Sequence, residues 1–157
     1  GFTFNKLRPY ERWETFRDEA KQLWQQYRQL AQPQSVTRIA LRYINRIELP
    51  LPFDDFKQYI LTAPEVAPGV SQALAHFFMR LEVPYPNLSA VAVVNLALDR
   101  SGITGSMVPL IFDIDVFRES PFDPTAEEMW ESFEALRDLK NQVFFKSITD
   151  NTKDLFR

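Results

Sequence analysis

The sequence predicts an α+β fold with a curved antiparallel sheet of about five strands and two long helices packed on one face. Two long segments, one near each end of the chain, repeat apolar residues at every third or fourth position, which is typical of amphipathic helices. Shorter segments alternate apolar and polar residues, as strands do when only one face of a sheet is covered. Strands and helices do not alternate regularly, which argues against a parallel sheet. A length of 157 residues suits one domain.

The N-terminal part is predicted to run strand, helix, strand. Residues 1–7, GFTFNKL, have the pattern of a short strand, and residues 8–33 have the apolar spacing of a long helix. We expect Phe2 and Phe4 to pack against this helix. Residues 38–50, RIALRYINRIELP, alternate between an apolar face and an arginine-rich face, and this pattern predicts a long strand.

The C-terminal part is predicted to add a short helix, three strands and a second long helix. The short helix is expected at about Asp54–Leu61, and a proline-rich loop follows it. The three strands are predicted at residues 76–86, 89–100 and 108–119. The long helix starts near Pro124, and a short final helix is capped by Thr149 or Asp150.

The three tryptophans lie on the apolar stripes of the two long helices. Trp13 and Trp24 belong to the first helix, and Trp130 belongs to the second. The apolar stripe of an amphipathic helix faces the core. We therefore expect all three indole rings to be buried between the helices and the sheet.

Composition excludes several kinds of chemistry. Without cysteine, the chain has no disulfide, thiolate metal site or cysteine nucleophile, and the lack of disulfides agrees with a cytoplasmic location. A single histidine, His76, rules out metal sites with several histidines, and four glycines are too few for a phosphate-binding loop. No apolar run approaches the ~20 residues of a membrane span. We predict no catalytic residue, metal or cofactor, and no membrane contact.

The net charge of −3 is unevenly distributed along the chain. Residues 1–50 carry nine lysines and arginines against five acidic residues, a balance of +4. Residues 51–157 carry nine against sixteen, a balance of −7. Opposite charges within one fold predict internal pairing, and the acidic total disfavours nucleic acid as a partner.

One polar constellation is a candidate binding site. Alternation along the strands places these residues on one face of the sheet: Arg42, Arg46, Arg80, Asp113 and Asp115. Asp113 and Asp115, about 7 Å apart on one strand, could hold Mg²⁺ or divide acid and base roles. Alternatively, Arg42 and Arg46 could bind an anion together with Arg38. The interpretation we favour is that the arginines and aspartates pair with one another across neighbouring strands.

Four segments of the chain resemble a functionally unassigned bacterial protein family of sporadic distribution. The segments are GFTFNKLRPYERWETF, RIALRYINRIELPLP, VPLIFDIDVFRE and LRDLKNQVFFKSIT, in the family's order and over nearly the whole chain. The resemblance implies members of about 250 residues, starting with a further strand–helix–strand unit. This chain would then be their C-terminal two-thirds, with residues 1–7 as the last strand of a preceding strand–helix–strand unit. A duplicated β-α-β-β-β-α plan, loosely similar to the saddle of TATA-binding proteins, is also implied.

The predicted function is that of a non-catalytic binding module with a protein partner. The partner would contact the polar face of the sheet or the acidic residues of the last long helix, which are Glu127, Glu128, Glu131 and Glu134. The sporadic distribution that the resemblance implies fits an accessory role such as toxin neutralisation or phage defence. Two alternatives stay open. One is a metal-assisted hydrolase or nuclease that uses Asp113 and Asp115, and the other is binding of an anion or nucleic acid by the arginines.

Overall fold

The computed structural model describes residues 1–7, 12–71, 74–99 and 105–156. Its helices are α1 (Trp13–Ala31), α2 (Glu128–Ser147) and α3 (Asp150–Asp154), with short 3-10 helices at Phe56–Gln58 and Pro86–Leu88. Its strands are β1 (Val36–Pro50), β2 (Phe78–Tyr85), β3 (Ala90–Leu98) and β4 (Met107–Phe122). The strands form one antiparallel sheet in the order β1-β4-β3-β2. The predicted α+β class and antiparallel sheet are confirmed.

The sheet has four strands in the described residues, so the expectation of about five is wrong. Residues 1–7 have no strand conformation. They lie along α1, with the ring centroid of Phe2 5.5 Å from that of Trp24 and the centroid of Phe4 4.9 Å from that of Phe16. The expected contact of these phenylalanines with the first helix is therefore confirmed. Two aromatic residues spaced by two suit a strand, but they suit an extended segment on a helix equally well.

The strand register divides the sheet into two faces. On the core face, β1 contributes alternate apolar residues that oppose those of β4, and β3 continues the layer. Its buried members are Ile39, Leu41, Ile47, Leu49, Ala92, Val94, Leu96, Leu110, Phe112, Ile114 and Val116. The intervening residues form the open face, which is described below. Period-two alternation in the sequence thus predicts correctly the buried residues that β1, β3 and β4 contribute to the core face.

Helix α2 supplies contacts to the core face, and α1 contacts α2. The ring of Phe144 lies 5.5 Å from that of Phe112 of β4, and Met129, Leu136, Leu139 and Val143 form the buried stripe of α2. Trp13 of α1 donates its Nε1–H to Glu134 of α2 at 2.8 Å. None of the helices in the described parts of the chain is long and apolar enough to cross a membrane.

The tryptophan prediction holds for two of the three rings. Trp13 and Trp24 are buried, and the Nε1–H of Trp24 donates to the carbonyl oxygen of Pro124 at 3.1 Å. Trp130 is only partly buried, because it lies on the flank of α2. There the ammonium of Lys21 covers its ring at 5.3 Å from the centroid. The expectation that Trp130 is fully buried is therefore wrong.

The bounds of three predicted helices differ from those observed. The first helix, predicted over residues 8–33, is α1 (Trp13–Ala31), and residues 8–11 of the prediction lie outside the described residues. Only the 3-10 turn Phe56–Gln58 forms within the segment predicted as a short helix. Helix α2 starts at Glu128, since the carboxylate of Asp123 accepts hydrogen bonds at 2.7 Å from the N–H and hydroxyl of Thr125 and so closes a separate turn before it. The cap of α3 is as predicted, with the Thr149 side chain accepting from the N–H of Thr152.

We expect Phe2→Ala to lower the free energy of unfolding by about 1–3 kcal/mol, because it removes a half-buried ring from Trp24 and Tyr27. Leu7→Ala is the matched control, and it should change the value by less than about 0.5 kcal/mol because Leu7 is exposed. Urea denaturation followed by tryptophan fluorescence measures both. Equal effects of the two substitutions would contradict the packing of residues 1–7 on α1.

Candidate functional site

The open face of the sheet carries the predicted constellation and is the candidate site. Its residues are Arg38, Arg42, Ile44, Arg46 and Glu48 of β1, Ile111, Asp113, Asp115 and Phe117 of β4, Val93, Asn95 and Ala97 of β3, and Phe78, Arg80, Glu82 and Pro84 of β2. The predicted placement of Arg42, Arg46, Arg80, Asp113 and Asp115 on one face agrees with this register. Two depressions lie elsewhere, one against Phe56 and Ile60 and one on α1 at Arg28.

A two-pronged ion pair between Arg42 and Asp113 lies at the centre of the open face. The Nε and Nη2 of Arg42 donate to the two carboxylate oxygens of Asp113 at 2.8 and 2.7 Å. Arg42 lies directly opposite Asp115 in the register, so its bond to Asp113 is a diagonal one. Asp113 is only 6% exposed, and Asn95 Nδ2 donates to its Oδ2 at 3.1 Å. Its hydrogen bonds to Asp113 raise the pKa of Arg42 above its ordinary value.

Asp115 is less completely paired than Asp113. Its Oδ2 accepts from Arg38 Nη2 at 3.5 Å, the outer limit for a hydrogen bond, and the guanidinium of Arg38 stacks at 4.4 Å over the ring of Phe117. The other carboxylate oxygen, Oδ1, is buried and has no hydrogen-bond partner. Asp115 therefore has spare acceptor capacity.

The other two arginines bind acids outside the predicted aspartate pair. Arg46 donates to Glu48 at 2.7 Å and to Asp99 at 2.8 Å, and its hydrogen bond to Glu48 is the first cause of its raised pKa. Arg80 donates to Glu82 at 2.9 Å and, at 3.3 Å, to the side-chain oxygen of Asn95. At least one arginine–aspartate pair was predicted for this face, and the bond between Arg42 and Asp113 confirms it. Arg46 does not bind Asp113 or Asp115 in the structure.

The balance of charge on the open face is negative. The face has four arginines (Arg38, Arg42, Arg46 and Arg80) and four acids (Glu48, Glu82, Asp113 and Asp115), and Asp99 and Glu119 add two acids at its ends. Each arginine binds at least one of the six acids. An acid beside each arginine lowers the positive potential that would attract a phosphate. In the residues that the structure describes, no three or more histidines, cysteines, aspartates or glutamates cluster as metal ligands do.

A second polar cluster, between α1 and α2, was not anticipated from the sequence. The carboxylate of Glu134 accepts from Trp13 Nε1 at 2.8 Å and from Arg17 Nη1 at 2.8 Å, and Lys21 pairs with Glu127 nearby. Burial raises the pKa of Glu134, but the bonds from Arg17 and Trp13 outweigh burial and leave it below its ordinary value. Two members of the acidic run predicted to face solvent or a partner therefore join the two long helices. The signal in the sequence is that Trp13 and Arg17 are four residues apart, which places both donors on one face of α1.

Lys140 is a partly buried lysine that the sequence interpretation also missed. Its ammonium lies 3.8 Å from the ring centroid of Tyr43 and donates to Asn141 Oδ1 at 2.7 Å. Burial, and then repulsion by Arg137, lower its pKa to about 8. The signal in the sequence is its position between Leu136 and Val143, next to the apolar stripe of α2.

No protein-family model, no curated protein and no solved structure matches this chain. The family resemblance described above stays a prediction.

A double-mutant cycle measures how far the Arg42–Asp113 pair stabilises the fold. Arg42→Ala should lower the free energy of unfolding by about 2–3 kcal/mol, because it leaves a buried carboxylate with Asn95 alone. We expect a coupling energy of about 1–3 kcal/mol with Asp113→Ala. The exposed pair Asp150–Lys153 is the control, with an expected coupling of about 0.3 kcal/mol. Equal coupling in both pairs would contradict a structural role for the central pair.

The pKa of Lys140 predicts a pH-dependent stability. Below about pH 8 both states hold the proton, and the cost of burying the charge is constant. Between about pH 8 and pH 10.5 the unfolded chain binds more protons, so the free energy of unfolding rises with pH. Lys140→Met should therefore stabilise the protein at pH 7 by about 1–2 kcal/mol, reduced from the full shift because Lys140 is partly exposed.

The advantage of Lys140→Met should shrink as the pH is raised from 8 to 10, as measured by urea denaturation. Arg137 on the same helix and Tyr43 on β1 are the groups that face the ammonium. Measurements stop at about pH 10 because tyrosine titrates there. Lys146→Met, at an exposed lysine of α2, is the control and should show no such trend. A constant difference across this range would refute the lowered pKa.

Proposed function

We propose that this chain is a non-catalytic protein-binding module whose open face contacts a protein partner. The observation that supports this proposal is that the charged side chains of the open face hold one another in place. Arg42, Asp113 and Asn95 form one hydrogen-bonded unit, and Arg46 is held between Glu48 and Asp99. Side chains that are already ordered lose less conformational entropy when a partner binds.

Exposed apolar side chains within the open face would supply the anchors of such an interface. Ile44 is 62% exposed between Arg42 and Arg46, and Phe78 is 65% exposed at the far edge. Apolar and aromatic anchors combined with polar residues are the usual composition of a protein interface. Four strands of this length cover about 20 Å by 30 Å, close to one side of a standard protein–protein contact.

Both long helices, in this proposal, cover the core face, so the open face is the surface of the sheet left for the partner. The contact of Phe144 with Phe112 and the bonds of α1 to Glu134 support this arrangement.

A cytoplasmic location is part of the proposal and rests on the lack of cysteine. So is an accessory role such as toxin neutralisation or phage defence, which rests on the family resemblance alone.

The test is affinity capture from an extract of cells that express the protein. We expect the wild-type chain to retain a stoichiometric partner and Ile44→Glu to retain at least tenfold less, because it replaces an apolar anchor of the open face with a charge. Leu30→Glu is the matched control: Leu30 is also apolar and 87% exposed, but it lies on α1. Equal retention by both variants would place the partner elsewhere, and no stoichiometric partner would count against the module.

A second candidate, metal binding at Asp115, is favoured by one observation. The buried Oδ1 of Asp115 has no hydrogen-bond partner, whereas both oxygens of Asp113 are occupied by Arg42. Calorimetry with Mg²⁺ and Mn²⁺ at millimolar concentration tests it, with Asp115→Asn as the control that should abolish binding. The absence of heat would remove the metal-assisted hydrolase from consideration. The nucleic-acid alternative has less support, because every arginine of the open face already binds an acid.

A further inference from the structure

Strand β2 forms one edge of the sheet and is exposed on both of its faces. On the core face, Leu81 is 36% exposed and Val83 is 39% exposed, although apolar residues of β1 and β4 on that face are buried. On the open face, Arg80 and Glu82 are exposed, as is Phe78. An edge strand with apolar side chains in contact with water is a template for another strand.

The backbone of β2 presents its free hydrogen-bonding groups at even-numbered residues. The N–H of Leu98 donates to the carbonyl of Phe77 at 3.4 Å, so residue 77 faces β3. Backbone groups alternate in direction along a strand. Met79, Leu81 and Val83 therefore direct their N–H and C=O groups to β3, and the even-numbered residues direct theirs outward. Pro84 is one of the residues whose backbone is directed outward. Because proline lacks an N–H only at this outward position, the hydrogen bonds between β2 and β3 are unaffected.

We propose that β2 pairs antiparallel with β2 of a second copy, centred on Leu81, to form a continuous eight-stranded sheet. In this register Arg80 lies opposite Glu82 of the other copy, and Glu82 lies opposite its Arg80. Each such pair exchanges two backbone hydrogen bonds, because both residues direct their backbone groups outward. The salt bridge that joins Arg80 to Glu82 within one strand, at 2.9 Å, can then be replaced by two between strands.

The remaining pairs of this register are also complementary. Phe78 lies against Pro84 of the other copy on the open face, and its N–H donates to the proline carbonyl. On the core face Leu81 meets itself and Met79 meets Val83, so the exposed apolar side chains of β2 are covered. Registers centred one residue away place Arg80 against Arg80 or Glu82 against Glu82, and like charges directly opposite are destabilising. The sequence of β2 thus favours one register.

This inference does not require the proposed function, because it uses the edge of the sheet instead of the Ile44 surface; of the apolar anchors, the two share only Phe78. The competing hypothesis is that the side chains of β2 protect this edge of the sheet, since charges and proline on an edge strand usually prevent pairing with another strand. The protecting residues would be Arg80, Glu82 and Pro84. The two roles predict different behaviour in solution. Pairing gives a concentration-dependent dimer, whereas protection gives a monomer.

Sedimentation velocity of the full chain tests the dimer. We expect a dimer at about 100 μM that dissociates on dilution, since an interface of this size is at the weak end of the range. Arg80→Glu places acids opposite one another in both pairs and should weaken dimerisation at least tenfold. The double variant Arg80→Glu with Glu82→Arg exchanges the charges and should restore it. Circular dichroism verifies that the variants are folded.

Amide exchange measured by NMR gives an independent readout. In the dimer the amides of Phe78, Arg80 and Glu82 should become protected as the concentration rises, while those of Met79, Leu81 and Val83 are protected at all concentrations. A protein that stays monomeric at about 500 μM would overturn the proposal. So would a dimer that Arg80→Glu leaves intact, or one that the charge exchange does not restore.

Discussion

The carboxylate of Asp113 is the group on which the open face depends. It lies on the central strand β4 and is almost completely buried, although the face around it is open. A buried charge must be paired, and Arg42 of β1 and Asn95 of β3 provide the pairing from the two neighbouring strands. Asn95 in turn accepts from Arg80 of β2. One chain of hydrogen bonds therefore crosses all four strands.

The opposite face is stabilised by apolar burial and by a second, partly buried carboxylate, that of Glu134. Phe112, Ile114 and their neighbours are closed off from water beneath the contacts that α2 provides. Glu134 then links α2 to α1 through the indole N–H of Trp13 and the guanidinium of Arg17. Asp113 and Glu134 share one arrangement, in which the carboxylate accepts from an arginine and from a neutral donor. The ion pairs of these two carboxylates therefore stabilise the fold.

The sequence predicted the faces well and the individual partners poorly. Period-two alternation placed Arg42 and Asp113 on one face, because side-chain direction follows from strand geometry alone. It could not show that Arg42 reaches diagonally past Asp115, since that choice depends on rotamers and on Asn95. The count of strands failed at residues 1–7, where two phenylalanines fit a strand or a helix surface equally well.

Burial of polar groups was harder still to anticipate. Glu134 and Lys140 belong to types that are usually exposed, and their burial results from the way α1 and Tyr43 approach α2. Trp130 differs in the opposite direction: burial was expected, but the ring is only partly buried because it lies on the flank of a wide apolar stripe. Such outcomes are decided by the packing of elements that are distant in the chain, and a local pattern does not contain them.

The position of Asp113 has a consequence for the order in which the sheet assembles. Asn95 is 18 residues away along the chain, in the strand that precedes β4, whereas Arg42 is 71 residues away. Closing the shorter loop costs less entropy, so the β3–β4 hairpin can form early with Asp113 still in water. Docking of β1 is the long-range step. Because Arg42 is part of β1, this docking step supplies the cation as it buries the carboxylate of Asp113, so the charge does not leave water unpaired.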